Sequence, residues 1–182
     1  MDESLVVAAI NKARKGIAQY LEIMDLLPHV DVSRDRTFPR RYNAFYKVRQ
    51  RPEEWYELYF AYLESGRTCL PSFDSTIDYI LCALGRYEPS FSSKLVATLD
   101  PHQPVWDKFV LRNTSQKPPP YGAEDRIGKP KVVYRNIQSW YEQYLPSAEA
   151  RYVISLFGRE VQDHHRVTNL KKIDFVLWQM RA

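Results

Sequence analysis

The chain contains few of the residues that several common protein classes require. Only six glycines occur in 182 residues, which disfavours glycine-rich nucleotide loops and turn-dense β architecture. The two cysteines, Cys69 and Cys82, are too far apart for a CxxC unit, and a metal cluster would need more ligands. No apolar run approaches the roughly 20 residues that span a bilayer, and the acidic start at Met1–Glu3 is unlike a signal peptide. We therefore expect a cytoplasmic protein without membrane association, with reduced thiols and with Cys82 buried in an apolar helix.

Familiar catalytic and cofactor-binding motifs are also missing. The chain has no Walker A, GxGxxG, HExxH or GxSxG pattern. Asp163-His164-His165 comes nearest to a metal site, but adjacent residues on a helix point about 100° apart, and histidine near a helix C-terminus is favoured by the helix dipole. We expect neither a cofactor nor a metal.

The composition that remains is that of an ordinary globular domain with a basic, aromatic surface. Hydrophobic residues make up 45% and charged residues 26% of the chain, and the net charge is +4. This charge favours anionic partners. Aromatic residues make up 14%, among them thirteen tyrosines, which suit both cores and binding surfaces because each combines apolar area with a hydroxyl group.

Apolar residues recur at spacings of three and four along most of the sequence, which is typical of helices. Proline and glycine mark their ends. Residues 131–134 are the best strand candidate, but the helical pattern continues through them. The sequence predicts an all-α, single-domain multi-helix bundle over 1–182, with an irregular exposed loop at about 113–131. The predicted helices lie at about 4–27, 39–48, 52–65, 76–84, 90–99, 104–110, 132–145, 148–162 and 170–180.

The strongest candidate for chemistry is Lys94, which precedes Asp107 by thirteen residues. The pattern places Lys94 on one short helix and Asp107 in the first turn of the next. A lysine that is partly desolvated has a lowered pKa and becomes nucleophilic, and a carboxylate fixed at a helix start can assist it. Alternatively, Lys94 is a surface cation with its stem on the core, and Asp107 is only a helix cap.

The arrangement helix–Lys94–helix with Pro104-Val105-Trp106-Asp107 resembles the core of the helix-hairpin-helix DNA glycosylases, above all the 8-oxoguanine glycosylase branch. The resemblance covers about residues 75–113. It implies that Lys94 attacks the sugar C1′ as Schiff-base nucleophile and that Asp107 supports the developing charge. Trp106 is inserted before the acid, and 85–90 replaces the family's glycine-rich hairpin.

A basic segment, 34–51, contains seven basic residues and one acid, interleaved with aromatic residues. This mixture suits phosphate contacts and base stacking, although it is equally typical of a solvated helix face with inward aromatics. We assign phosphate contacts to Arg40, Arg41 and Arg49. Tyr87 and Trp106 are the candidates for stacking on a base.

These features predict a DNA-binding repair protein, a base-excision DNA N-glycosylase and AP lyase acting on double-stranded DNA. The alternative is a non-enzymatic module of the same fold that binds nucleic acid or protein. A third possibility is a regulatory protein with a small ligand in an aromatic pocket. Separately, Asp174 lies among apolar helical neighbours and is expected to form a structural salt bridge, with a functional role only if it faces Lys94.

Overall fold

The computed structural model describes residues 2–120, 125 and 127–180, and its regular structure is helical throughout this part of the chain. The all-α bundle predicted from the sequence is confirmed. A 3₁₀ turn at His164–Arg166 precedes the last helix. The helices are α1 Glu3–Leu26, α2 Thr37–Tyr46, α3 Glu53–Ser65, α4 Phe73–Leu84, α5 Pro89–Leu99, α6 Lys108–Asn113, α7 Gly128–Tyr144, α8 Ala148–Glu160 and α9 Asn169–Gln179.

Side-chain caps explain why several helices begin where they do. Asp2, Ser72, Ser147 and Thr168 each accept hydrogen bonds from backbone N–H groups of the first turn of α1, α4, α8 and α9. Such caps satisfy donors that have no partner within the helix. At the other end of α4, Gly85 adopts the left-handed conformation with φ 60°, which ends the helix at low cost because glycine has no Cβ.

Two helices lie at the centre of the bundle. Residues 92–98 of α5 and 170–177 of α9 are all buried, including polar ones. The buried residues form one cluster to which all nine helices contribute. Helix α9 packs against α1, α6 and α8. The two central helices therefore carry most of their side chains, charged ones included, into the interior.

Tyrosine fills much of this core because partners are available for its hydroxyl group. The Tyr59 hydroxyl lies 2.7 Å from that of Tyr42 and donates to the Phe91 carbonyl at 2.8 Å. Tyr134 donates to the carbonyl of Pro104 at 2.9 Å. Buried polar groups are costly unless they are hydrogen-bonded, so these contacts allow large aromatic area to be buried without an unsatisfied oxygen.

Four sequence expectations need correction. Helix α4 begins at Phe73 rather than at residue 76, because Ser72 is the cap. Helix α7 begins at Gly128, so the last part of the predicted loop and the strand candidate are helical; residues 121–124 and 126 of that loop lie outside the described residues. Residues 104–107 are not helical, and α6 starts only at Lys108. Cys82 is exposed, not buried.

Candidate functional site

Lys94 is held in the interior by its position in the middle of α5. The residue is 8% exposed, and its Nζ donates to the Tyr46 carbonyl at 3.2 Å. The amine also lies 4.9 Å from the ring centroid of Phe91. Burial lowers the pKa of Lys94, the carboxylates of Asp107 and Glu88 oppose this shift, and Arg51 adds to it. The amine is thus closer to its neutral, nucleophilic form than a lysine in water.

Asp107 ends the non-helical segment between α5 and α6, and its carboxylate acts electrostatically on the Lys94 amine. The backbone N–H of Trp106 donates to Ser93 Oγ at 2.7 Å, which ties the segment to α5. Asp107 is the N-cap of α6, since its Oδ1 accepts from the N–H groups of Phe109 and Val110, both at 2.8 Å. The sequence-based cap interpretation is therefore correct, although it does not exclude a second role.

The surroundings of Asp107 raise the pKa of its carboxyl group. Burial raises the pKa of this carboxyl, the two backbone donors and Lys94 lower it, and Asp174 raises it further. A carboxyl group with a raised pKa exchanges its proton more readily near neutral pH. Burial thus disfavours the charged forms of both Lys94 and Asp107.

The pair lines one solvent-reachable cleft of about 440 Å³. The walls come from α1, the end of α2, the start of α6 and the end of α9, so residues distant in sequence meet here. Ligand pockets in proteins have volumes of roughly 300–1,000 Å³, and this cleft could hold a nucleoside-sized group. The cleft is lined by aromatic residues Phe45, Tyr46, Phe109, Phe175 and Trp178, and by lysines Lys15, Lys47, Lys94 and Lys108.

The predicted nucleic-acid residues do not gather around the cleft. Arg40 and Arg49 are exposed but do not line it, and Arg41 forms an ion pair with Glu22. Tyr87 lines another hollow, with Pro119 and Pro120; burial, with Asp125, raises the pKa of Tyr87 to about 12. The basic segment instead reaches the cleft through its aromatic residues and Lys47.

Trp106 is the one predicted residue whose position opposes its assigned role. Its side chain is 5% exposed and its ring is parallel to that of Phe73, with the centroids 6.3 Å apart. An indole that is enclosed in the core is not presented to a base. Residues 104–106 are not helical, and Trp106 is buried in the core rather than lying on an exposed helix face.

Asp174 forms the salt bridge that the sequence predicted, and it does so behind the cleft. Its Oδ2 accepts from Lys171 Nζ at 2.9 Å, and its Oδ1 accepts from the Tyr141 hydroxyl. Burial, reinforced by Asp174, raises the pKa of Tyr141. Asp174 influences the site electrostatically, because its negative charge is one of the causes that raise the pKa of Asp107.

Sequence reasoning missed three lysines of the cleft. Lys15, Lys47 and Lys108 belong to three separate elements, and only Lys108 is a neighbour of a predicted site residue. The rings of His164 and His165 are nearly perpendicular, and no group of three or more metal-binding side chains occurs within 2–120, 125 and 127–180. No helix in the same ranges is long and apolar enough to cross a membrane.

Comparisons with known protein families, with characterised proteins and with solved structures find no match to this chain. The function is therefore inferred from the geometry of the cleft and from the residues that line it.

Proposed function

We propose that the protein is a DNA glycosylase and AP lyase of the helix-hairpin-helix kind, with Lys94 as nucleophile and Asp107 as supporting acid. One observation carries the proposal: the two residues that the sequence pattern singled out, thirteen positions apart, line the same cleft. Desolvation of the amine supports the same role, because it lowers the pKa of Lys94.

The substrate in this proposal is a nucleotide that has been extruded from duplex DNA. The neutral Lys94 amine attacks C1′, and a C1′–N bond forms while the glycosidic bond breaks. The departing base takes the electron pair of that bond and a proton. Asp107 stabilises the positive charge on the sugar and transfers protons from the amine to the leaving group. Ring opening, with protonation of O4′, then leaves a Schiff base on Lys94.

Borohydride trapping tests this chemistry because hydride reduces the Schiff base to a stable amine. Duplexes containing 8-oxoguanine, other damaged bases or an abasic site are incubated with the protein and borohydride, and covalent adducts are resolved on denaturing gels. We expect an adduct with the wild type and none with Lys94→Met, which keeps an unbranched apolar stem in the core. Lys12→Met changes an exposed lysine of α1 outside the cleft and should leave trapping unchanged.

The proposal fails if no lesion gives an adduct, or if Lys94→Met traps as well as the wild type. A non-enzymatic DNA-binding module is then the better description. One observation favours that alternative: the Lys94 amine donates a hydrogen bond to the Tyr46 carbonyl, and Asp107 caps α6. Both side chains therefore have structural partners. A module of this kind would bind DNA in a salt-dependent manner, and Lys94→Met would weaken binding less than about tenfold, or ~1.4 kcal/mol.

A further inference from the structure

Three exposed lysines surround the cleft that contains Lys94. Lys15 lies on α1, Lys47 directly follows α2, and Lys108 is the first residue of α6. None of them forms a salt bridge within the described part of the chain, whereas Arg51 and Lys171 are paired with Glu88 and Asp174. Like charges gathered at one opening repel each other, and an anionic ligand removes this repulsion.

The backbone places Lys47 at the cleft. This residue is the left-handed C-cap of α2, with φ 57°, a common way for a helix to end. Here it ends α2 at the cleft, and Lys47 becomes part of the cleft lining.

We infer that Lys15, Lys47 and Lys108 bind the DNA phosphates on either side of the nucleotide in the cleft. The inference rests on the proposed function and extends it, because it assigns the phosphate contacts to lysines of the cleft rather than to the arginines of the basic segment. Lysine suits this task as a compact charge on a long, flexible stem. The three side chains would make phosphate contacts in place of those that a glycine-rich hairpin would make.

Two triple variants of equal net charge test the assignment. The cleft variant carries Lys15→Gln, Lys47→Asn and Lys108→Gln; asparagine is chosen at residue 47 because it tolerates the left-handed conformation. The control variant carries Lys12→Gln, Arg40→Gln and Arg49→Gln, three exposed bases that do not line the cleft. Circular dichroism checks that both variants remain helical.

Binding to a duplex with a central tetrahydrofuran abasic analogue is measured by fluorescence anisotropy over a range of salt concentrations. Each phosphate contact contributes about 0.9 to the slope of log K against log salt on B-form DNA. The cleft variant should lower the magnitude of this slope by about 2–3 and weaken binding at least about tenfold at low salt, whereas the control variant should keep the wild-type slope.

An equal loss of affinity and salt slope in both variants would overturn the inference, because it would indicate a diffuse basic surface. An unchanged slope in the cleft variant, or no DNA binding by the wild type, would also overturn it. The trapping experiment separates this result from the chemistry. A lowered slope without any covalent adduct supports the lysine contacts but contradicts the glycosylase proposal. An adduct with an unchanged slope supports the chemistry and contradicts the lysine contacts.

Discussion

At the scale of single residues, Asp107 combines a structural and a chemical role that can be separated. Its Oδ1 caps α6, a role that asparagine performs nearly as well. Its ionisable proton is needed only for chemistry. The raised pKa of Asp107 means that the native state holds this proton more tightly than the unfolded chain. Stability from this group is therefore complete below its unfolded pKa and is lost as pH rises through the folded value.

We predict that Asp107→Asn preserves the fold but abolishes borohydride trapping, while Asp107→Ala impairs both. Loss of the cap in the alanine variant should cost about 0.5–2 kcal/mol of unfolding free energy. The difference in unfolding free energy between the asparagine variant and the wild type should shift in favour of the variant as pH rises from acidic to neutral. The reason is that the wild type loses the stability that comes from the raised pKa of Asp107, whereas asparagine does not titrate. Urea denaturation at several pH values provides the measurement. If Asp107→Asn is trapped by borohydride as efficiently as the wild type, the carboxyl group takes no part in the chemistry.

The residue scale also shows where sequence patterns are sufficient. Lys94 and Asp107 could be assigned to one site from the sequence because they are close along the chain, Lys94 on α5 and Asp107 directly before α6. Lys15 could not be added, since its approach to the cleft depends on how α1 packs against α9. Trp106 was misplaced because a helix was assumed for residues that are not helical. There the Trp106 N–H donates to Ser93 and the Pro104 carbonyl accepts from Tyr134.

At the scale of elements, α9 carries a buried ion pair into the core. The side chains of Lys171 and Asp174 are 4% and 6% exposed, so water screens neither charge. Breaking such a pair by removing one partner costs about 3–5 kcal/mol, because the remaining charge stays buried. The Tyr141 hydroxyl bonded to Asp174 connects α9 to α7 through the same carboxylate.

We expect Asp174→Asn to lower the unfolding free energy by about 3–5 kcal/mol. Asp74→Asn provides a matched control, because Asp74 pairs with Arg135 at 3.0 Å on the surface and exposed pairs contribute about 0–1 kcal/mol. Adding Lys171→Met to Asp174→Asn should restore most of the loss, since no unpaired charge then remains. Chemical denaturation of the four proteins gives these values. Similar losses for Asp174→Asn and Asp74→Asn would argue against a buried pair.

Helix starts were the least predictable part of the elements, for identifiable reasons. Ser72, Asp74 and Ser75 are all residue types that cap helices, and in the structure it is Ser72 whose hydroxyl accepts from the Ser75 N–H. Similarly, proline is acceptable in a first helical turn, so Pro104 was a plausible start for α6. The carbonyl of Pro104 instead accepts from Tyr134 of α7, a contact between distant segments that no local pattern reveals.

At the scale of the whole molecule, the single buried cluster couples all nine helices. The fold class was predictable because helical periodicity runs through most of the chain and continues through the best strand candidate, 131–134. The four tryptophans report on separate parts of this cluster: Trp55 on α3, Trp106 before α6, Trp140 on α7 and Trp178 on α9. Two-state unfolding makes transitions monitored by different probes coincide.

We therefore predict that tryptophan fluorescence and far-ultraviolet circular dichroism give the same thermal and urea unfolding curves. A charge introduced at the centre of α9 should abolish the transition everywhere: Val176→Asp places an unpaired carboxylate at a position with 0% exposure, which is strongly unfavourable. The same change at Val132 of α7, which is 49% exposed, should alter stability by only about 0.5 kcal/mol. Separate transitions for the two probes, or native helix content in Val176→Asp, would mean that the bundle consists of independently stable parts. The cleft between α1, α2, α6 and α9 would then not be held by one cooperative core.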